Sequence, residues 1–89
     1  MGLYTVEFTT RAEQQKMEIP SERRPAFDAA LRLLLDEPQH PSAIQRDESL
    51  WEIRLTQHIT IEYMFTKVKL VVLVIEVRDD LATEPLYYE

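Results

Sequence analysis

The chain has 89 residues, a formal net charge of −6 and no cysteine. This length holds one domain with one modest hydrophobic core. The absence of cysteine excludes disulfides and thiolate metal sites. An acidic chain also lacks the global basic surface that is typical of nucleic-acid binding, so a role of that kind requires a local cluster of cations.

The N-terminal part of the chain predicts a strand followed by a short helix. Polar and apolar residues alternate over Leu3–Phe8, as they do in a half-buried strand. Thr10 and Glu13 then have the spacing of a capping box, which predicts a helix beginning there. This helix must end before Pro20, because a proline ring forces the residue before it out of the helical region.

A second helix is predicted to begin near Arg24, since Pro25 is tolerated only in a first turn, and to end at Asp36-Glu37-Pro38. The stretch Pro38–Ser49 is rich in proline and serine, which predicts a loop. The residues that recur at helical spacing and form the core-facing stripe of this helix are Phe27, Leu31, Leu34 and Leu35.

Three strands are predicted in succession over Leu50–Thr56, Ile59–Phe65 and Lys69–Val77. The first two runs alternate with period two, and the third is apolar and mostly β-branched, which is typical of an interior strand. With regular alternation, the residues of the third strand that we expect to face the helices are Val71, Leu73, Ile75 and Val77.

This order of elements predicts an α+β fold in a single domain spanning residues 1–89. A two-helix hairpin is expected to pack on a mainly antiparallel four-stranded sheet, in the order β-α-α-β-β-β. The last apolar run is too short to cross a bilayer, so no membrane partner is expected. The N-terminal stretch lacks the basic and long apolar regions of a signal peptide, so we expect a cytoplasmic protein.

Alternation also predicts one polar face of the sheet, with three carboxylates against one guanidinium. Phosphodiester cleavage needs cations where negative charge develops, and a carboxylate can act as a base. The face therefore fits either an ordinary solvated or partner-facing surface, or a substrate face. His40 and His58 lie far apart in predicted loops, and no metal or small-molecule cofactor is expected. The residues of this face are Glu52, Arg54, Thr60, Glu62, Met64 and Glu76.

Several short motifs follow one another along the chain: YTVEF at Tyr4–Phe8, LLLDEP at Leu33–Pro38, LWEIRL at Leu50–Leu55, a strand containing Tyr63 and a last strand that closes in Arg78. Their order and spacing resemble the RelE/ParE superfamily of bacterial toxins. The Trp-x-x-Arg start and the twelve-residue step from Trp51 to Tyr63 are similar to the RelE and YoeB branches. The WEIR tetrapeptide also resembles the HigB-like branch.

The resemblance implies a toxin of a type II toxin–antitoxin pair that is silenced by a cognate antitoxin. RelE-like members cleave messenger RNA on the ribosome by promoting attack of a ribose 2′-hydroxyl on the adjacent phosphate, without a metal. ParE-like members instead inhibit DNA gyrase and are not nucleases. Both an endoribonuclease and a non-catalytic interaction protein on the same fold therefore remain open.

The resemblance also implies site residues. Arg54 matches the basic position of the first strand in the meander, and Arg78 stands where the family places a basic or histidine catalytic group. Tyr87 or the adjacent tyrosine matches a C-terminal tyrosine of RelE-like enzymes, and Glu52 is the carboxylate beside Arg54. The arginine that usually precedes the tyrosine of the second strand by three positions is Thr60 here. Arg54 and Arg78 favour the ribonuclease, whereas Thr60 favours the interaction protein.

Overall fold

Two helices lie against one face of a five-stranded sheet in the computed structural model, which describes residues 3–81. The strand order is β1-β5-β4-β3-β2, with β1 parallel to β5 and every other pair antiparallel. The predicted α+β class and the mainly antiparallel sheet are confirmed. The elements are β1 Thr5–Phe8, α1 Thr10–Met17, α2 Arg24–Asp36, β2 Ile44–Gln45, β3 Trp51–Arg54, β4 Ile59–Thr66 and β5 Val71–Asp79.

The additional strand, β2, lies inside the stretch that was predicted as a loop, so the prediction of a four-stranded sheet was wrong. Ile44 and Gln45 pair with the start of β3. The Asp47 carboxylate accepts hydrogen bonds from the backbone N–H groups of Ser49 and Leu50, at 3.1 Å each, and so closes the turn between the two strands. A strand of two residues is too short to show alternation, which is why the pattern did not indicate it.

The core lies between the helices and the sheet. Helix α2 begins at Arg24 and ends at Asp36, as its proline and acidic boundary predicted. Three of the four stripe residues are buried and Leu35 is half-buried. The largest side chains that are fully buried in this core are Tyr63, Phe27, Ile19, Ile59, Ile61, Val72 and Val74.

Helix α1 is capped by Thr9 and not by Thr10, so the predicted capping box was one residue out. The Thr9 hydroxyl accepts a hydrogen bond from the Ala12 N–H at 3.1 Å, which satisfies one of the free donors of the first turn. The same hydroxyl donates to the carbonyl of Ile75 at 3.0 Å. The cap therefore also joins α1 to β5, a contact between distant residues that no local motif encodes.

A β-bulge interrupts β5. Glu62 pairs with Glu76, but the next residue, Tyr63, pairs with Val74, so Ile75 is an extra residue in the strand. Its carbonyl is the one that the Thr9 hydroxyl binds. The bulge shifts the alternation by one position, so that different parities face the helices on its two sides.

Regular alternation was therefore the wrong expectation for the first half of β5. Val72 and Val74 are fully buried in the core before the bulge, and Val77 is buried after it. Val71 and Leu73 are only partly buried, and Leu73 pairs with Glu7 of β1 on the opposite face. Leu73 is thus not the core residue that the pattern predicted. The strand is apolar at both parities because each parity faces the core over part of its length.

Two arginines stabilise the segment that joins α1 and α2. Arg24 donates to the carbonyls of Met17 and Ile19 at the end of α1, at 3.0 and 2.8 Å, where the helix dipole favours a cation. Arg23 forms a two-pronged ion pair with Asp79, at 2.9 and 2.7 Å. Because Asp79 is the last residue of β5, this pair ties the helical link to the end of that strand.

Candidate functional site

The sheet face opposite the helices, called the open face below, carries two rows of charged and polar side chains across β3, β4 and β5. Glu52, Glu62 and Glu76 are direct neighbours in one row. Arg54, Thr60 and Arg78 are direct neighbours in the next row. Side chains opposite one another on neighbouring strands lie close enough to interact, so strand register alone brings these groups together.

Arg78 lies where the two rows meet. Its guanidinium donates to the Glu62 carboxylate at 3.0 Å and lies 3.4 Å from the second oxygen of Glu52. These carboxylates raise the pKa of Arg78, mainly through the hydrogen bond to Glu62. The side chain remains 40% exposed, so it is both anchored and accessible from solvent.

Glu52 lies between two guanidinium groups. Arg46, which directly follows β2, donates to one oxygen of Glu52 at 2.8 Å, and Arg78 approaches the other. The pKa of Glu52 is lowered, first by the hydrogen bond from Arg46 and further by the charges of Arg46 and Arg78, against the opposing effect of burial. Glu52 is therefore ionised at neutral pH.

Arg54 lies in a more exposed position at the end of β3. It donates to the Gln57 carbonyl at 2.7 Å and lies 3.5 Å from Asp80. On the other side of the face, Arg11 of α1 lies 3.7 Å from Glu76. The ion-pair lattice, as we call it, comprises Arg11, Arg46, Arg54, Arg78, Glu52, Glu62, Glu76 and Asp80.

The lattice holds as many arginines as carboxylates, whereas alternation alone predicted three carboxylates against one guanidinium, that of Arg54. Arg78 lies on β5 beyond the predicted end of that strand, and two further arginines come from outside the three central strands. Arg46 directly follows β2, the strand that the composition did not indicate, and Arg11 lies in α1. The Asp47 turn was the one local signal that could have placed Arg46 beside β3, because it closes a hairpin.

The sequence-predicted site residues have three different outcomes. The structure brings Glu52, Arg54 and Arg78 together on the open face. Thr60, which replaces the arginine of the family pattern, is 8% exposed and lies between Arg54 and Arg78 in register. Tyr87 lies outside the described residues.

A groove of about 330 Å³ runs beside Arg78. It lies between α1 and the end of β5, so a ligand there reaches the ion-pair lattice from the side. Most of its lining residues are charged or polar, and they include Gln15, whose side-chain oxygen accepts a hydrogen bond from the Val77 N–H at 2.8 Å. The lining residues are Arg11, Gln15, Glu18, Glu76, Val77, Arg78, Asp79 and Asp80.

Over residues 3–81, no cluster of three or more histidine or acidic side chains has the geometry to hold a metal ion. His40 instead has a local role, since its Nδ1 accepts a hydrogen bond from the Ser42 N–H at 3.0 Å. Neither helix within that range is long and apolar enough to cross a membrane.

No family model and no curated protein matches the sequence. Solved structures do match. The isolated RelE toxin of E. coli superposes with a TM-score of 0.74 at 24% identity, over 85% of this chain and 83% of that one. The RelBE2 toxin–antitoxin complex from Mycobacterium tuberculosis gives a TM-score of 0.76 at 20% identity, over 89% and 93% of the two chains.

The chain has the RelE toxin fold. The YoeB/ParE toxin from Agrobacterium tumefaciens is similar too, with a TM-score of 0.69 at 12% identity over 84% of this chain and 96% of that one. These identities establish the fold alone. The function of the face that carries the ion-pair lattice must therefore be argued from its own side chains.

Proposed function

We propose that this protein is the toxin of a type II toxin–antitoxin pair and that it cleaves messenger RNA. The observation that carries this proposal is the pairing of Arg54 and Arg78 across Thr60 on the open face of a RelE fold. The two guanidinium groups lie on β3 and β5, one on each side of β4, and they present fixed positive charge to a phosphodiester. Glu52 adds a carboxylate to the same face.

The chemistry that fits these groups is internal transesterification of RNA. The 2′-hydroxyl gives its proton to a base, for which Glu52 is the candidate, and its oxygen bonds to the adjacent phosphorus. The bond from phosphorus to the 5′-oxygen breaks, and that oxygen takes up a proton. Arg54 and Arg78 stabilise the charge that builds on the phosphate oxygens. The products are a cyclic 2′,3′-phosphate and a 5′-hydroxyl, and no metal takes part.

The proposal includes a partner and a location. A cognate antitoxin binds the protein and silences it, and the messenger RNA is cut on the ribosome, which places the protein in the cytoplasm. Support comes from similarity to RelE toxins whose structures include toxin–antitoxin complexes. An antitoxin segment can bind by laying a helix in a groove or by adding a strand to a sheet edge.

A second candidate function is that of a binding-only protein on the same fold, either a gyrase inhibitor or a toxin that only binds its antitoxin. Two observations favour it. Thr60 supplies no charge where the family pattern has arginine. Among the described residues, each arginine of the ion-pair lattice also lies within ion-pair distance of a carboxylate, so a phosphate must compete for it.

Alanine variants separate the two candidates. If the protein cleaves RNA, Arg54→Ala and Arg78→Ala should each lower the cleavage rate by about 10²–10³, as the loss of one transition-state donor does. The measurement is growth arrest on induction, combined with primer extension on a translated message. Arg32→Ala is the matched control, because Arg32 is exposed on α2. Growth arrest that persists in both site variants, with no cut message, would instead support the binding-only function.

A further inference from the structure

Glu52 lies between two arginines whose arrangement also suits the binding of an external anion. One carboxylate oxygen accepts from Arg46 at 2.8 Å, and the other lies 3.4 Å from Arg78. A carboxylate held by two guanidinium groups has the geometry in which arginines also hold a phosphate, since both anions present oxygen atoms to the same planar donors. Arg46 and Arg78 are half-exposed, so an external anion can reach them.

We propose that Arg46 and Arg78 form a phosphate-binding subsite and that Glu52 occupies this subsite as an internal counterion in the free protein. This inference rests on the proposed function and deepens it, because it names the residues that hold the RNA backbone beside the cleavage site. It adds Arg46, which is not among the residues that the resemblance implies, as a substrate-binding cation. Arg46 thereby supplies positive charge to a face on which Thr60 supplies none.

The exchange has a chemical consequence for Glu52. While Arg46 and Arg78 hold it, their charges keep the pKa of Glu52 below its ordinary value. A phosphate that takes over both arginines removes those stabilising contacts and adds negative charge nearby, and both changes raise the pKa of the released carboxylate. Glu52 thus becomes a stronger base only when the substrate is bound, so binding and proton removal are coupled through one side chain.

Binding of a non-cleavable probe tests the subsite separately from catalysis. The probe is a short fluorescein-labelled oligouridylate with 2′-O-methyl groups, which have no nucleophilic hydroxyl, and the measurement is fluorescence anisotropy with the full-length protein. Glu52→Gln should tighten binding by roughly two- to fivefold, because the RNA no longer displaces an ion pair. Glu37→Gln makes the same change in net charge at an exposed position beyond α2, and it should leave the affinity nearly unchanged.

The dependence of binding on Arg46 is the decisive comparison. Arg46→Gln should weaken binding and should remove the gain in the Glu52→Gln background. The slope of log affinity against log salt should be shallower by roughly 0.7 when one phosphate contact to a single strand is lost. Equal effects of Glu52→Gln and Glu37→Gln, or a gain that survives Arg46→Gln, would overturn the proposal. If Glu52→Gln does not fold, the proposal is decided by comparing the affinity of Arg46→Gln for the probe with that of Arg32→Gln, the control at an exposed arginine.

A second probe keeps failure of the subsite distinct from failure of the proposed function. Inorganic pyrophosphate should shift the NMR signals of the Arg46 and Arg78 Nε–H groups, and Arg46→Gln should reduce the shift at Arg78. A protein that responds in this way but neither arrests growth nor cuts messages has the subsite without the ribonuclease function. Signals that do not move with pyrophosphate, together with wild-type growth arrest and cleavage, would leave the function intact and refute the subsite.

Discussion

Tyr63 connects the sheet to the segment that follows α2. Its ring is fully buried, and its hydroxyl donates to the carbonyl of Pro38, just past the end of α2, at 2.5 Å. Burial raises the pKa of Tyr63 to about 12, from an ordinary value of 10.0. Alternation in the sequence predicted that Tyr63 faces the core. The partner of its hydroxyl could not be predicted, because Pro38 is distant in the chain and the contact depends on tertiary packing.

The raised pKa predicts alkaline destabilisation. The folded-state pKa lies above the unfolded value, so this contribution to stability is complete below about pH 10 and is lost as the pH rises through about 12. A shift of about two units corresponds to at most about 2.7 kcal/mol. Denaturant unfolding at a series of alkaline pH values measures it. Tyr63→Phe should lose about 1 kcal/mol at neutral pH, for the missing hydrogen bond, and should show a smaller alkaline loss.

An equal alkaline loss in wild type and Tyr63→Phe would show that another group is responsible. The substitution is a suitable control because it retains the ring that fills the core and removes only the ionising hydroxyl. The difference between the ultraviolet tyrosinate signals of the two proteins should increase as the pH rises through about 12, where Tyr63 ionises.

Among the elements, β5 differs most from what its sequence pattern predicted. The apolar run predicted an interior strand correctly, and the helix boundaries at Pro25 and Pro38 were also readable, because proline acts through local sterics. The bulge at Ile75 could not be predicted from the sequence. Its carbonyl binds the Thr9 hydroxyl, so the irregularity depends on a residue from the far end of the chain.

A valine-to-threonine series tests the bulge. Threonine has nearly the shape of valine, so the main change is a hydroxyl that costs about 1–3 kcal/mol where it is buried without a partner. Val72→Thr, Val74→Thr and Val77→Thr should each cost that much, whereas Val71→Thr on the open face should stay within about 0.5 kcal/mol. Chemical denaturation measures each value. A large cost at Val71 with a small cost at Val72 would mean that the strand alternates without interruption up to Val77.

At the scale of the whole molecule, the order of elements was sufficient to predict the α+β class but not the number of strands, and strand register explains how much of the site could be predicted. Residues two positions apart in one strand, such as Glu52 and Arg54, lie on the same face because successive side chains alternate between the two faces of a sheet. Arg78 joins them because β5 pairs with β4. Arg11 and Arg46 enter the lattice from α1 and from the residue after β2, so their positions follow from tertiary assembly and from a strand too short to recognise.

The proposed partner can be tested on the intact protein. Co-expression with the product of an adjacent short reading frame should give a complex that co-purifies and relieves growth arrest. Binding to the folded state alone should also raise the unfolding free energy, by about 2.7 kcal/mol when the free antitoxin is at a hundred times its dissociation constant. Thermal unfolding with and without the partner measures this gain, with an antitoxin from an unrelated pair as control. A chain that neither binds nor is relieved by any neighbouring product would contradict the pairing.

The bulge at Ile75 determines which face of the sheet Arg78 reaches. If Ile75 were an ordinary strand residue, counting by twos from Val74 would put Glu76 and Arg78 on the helix side and would turn Val77 and Asp79 outward. Deletion of Ile75 should instead leave Arg78 beside Glu52, because the shortened strand would alternate regularly with the same residues on each face; the change would remove the carbonyl that the Thr9 hydroxyl binds. The chain can therefore hold an odd residue between Val74 and Glu76 without moving the arginine off the open face.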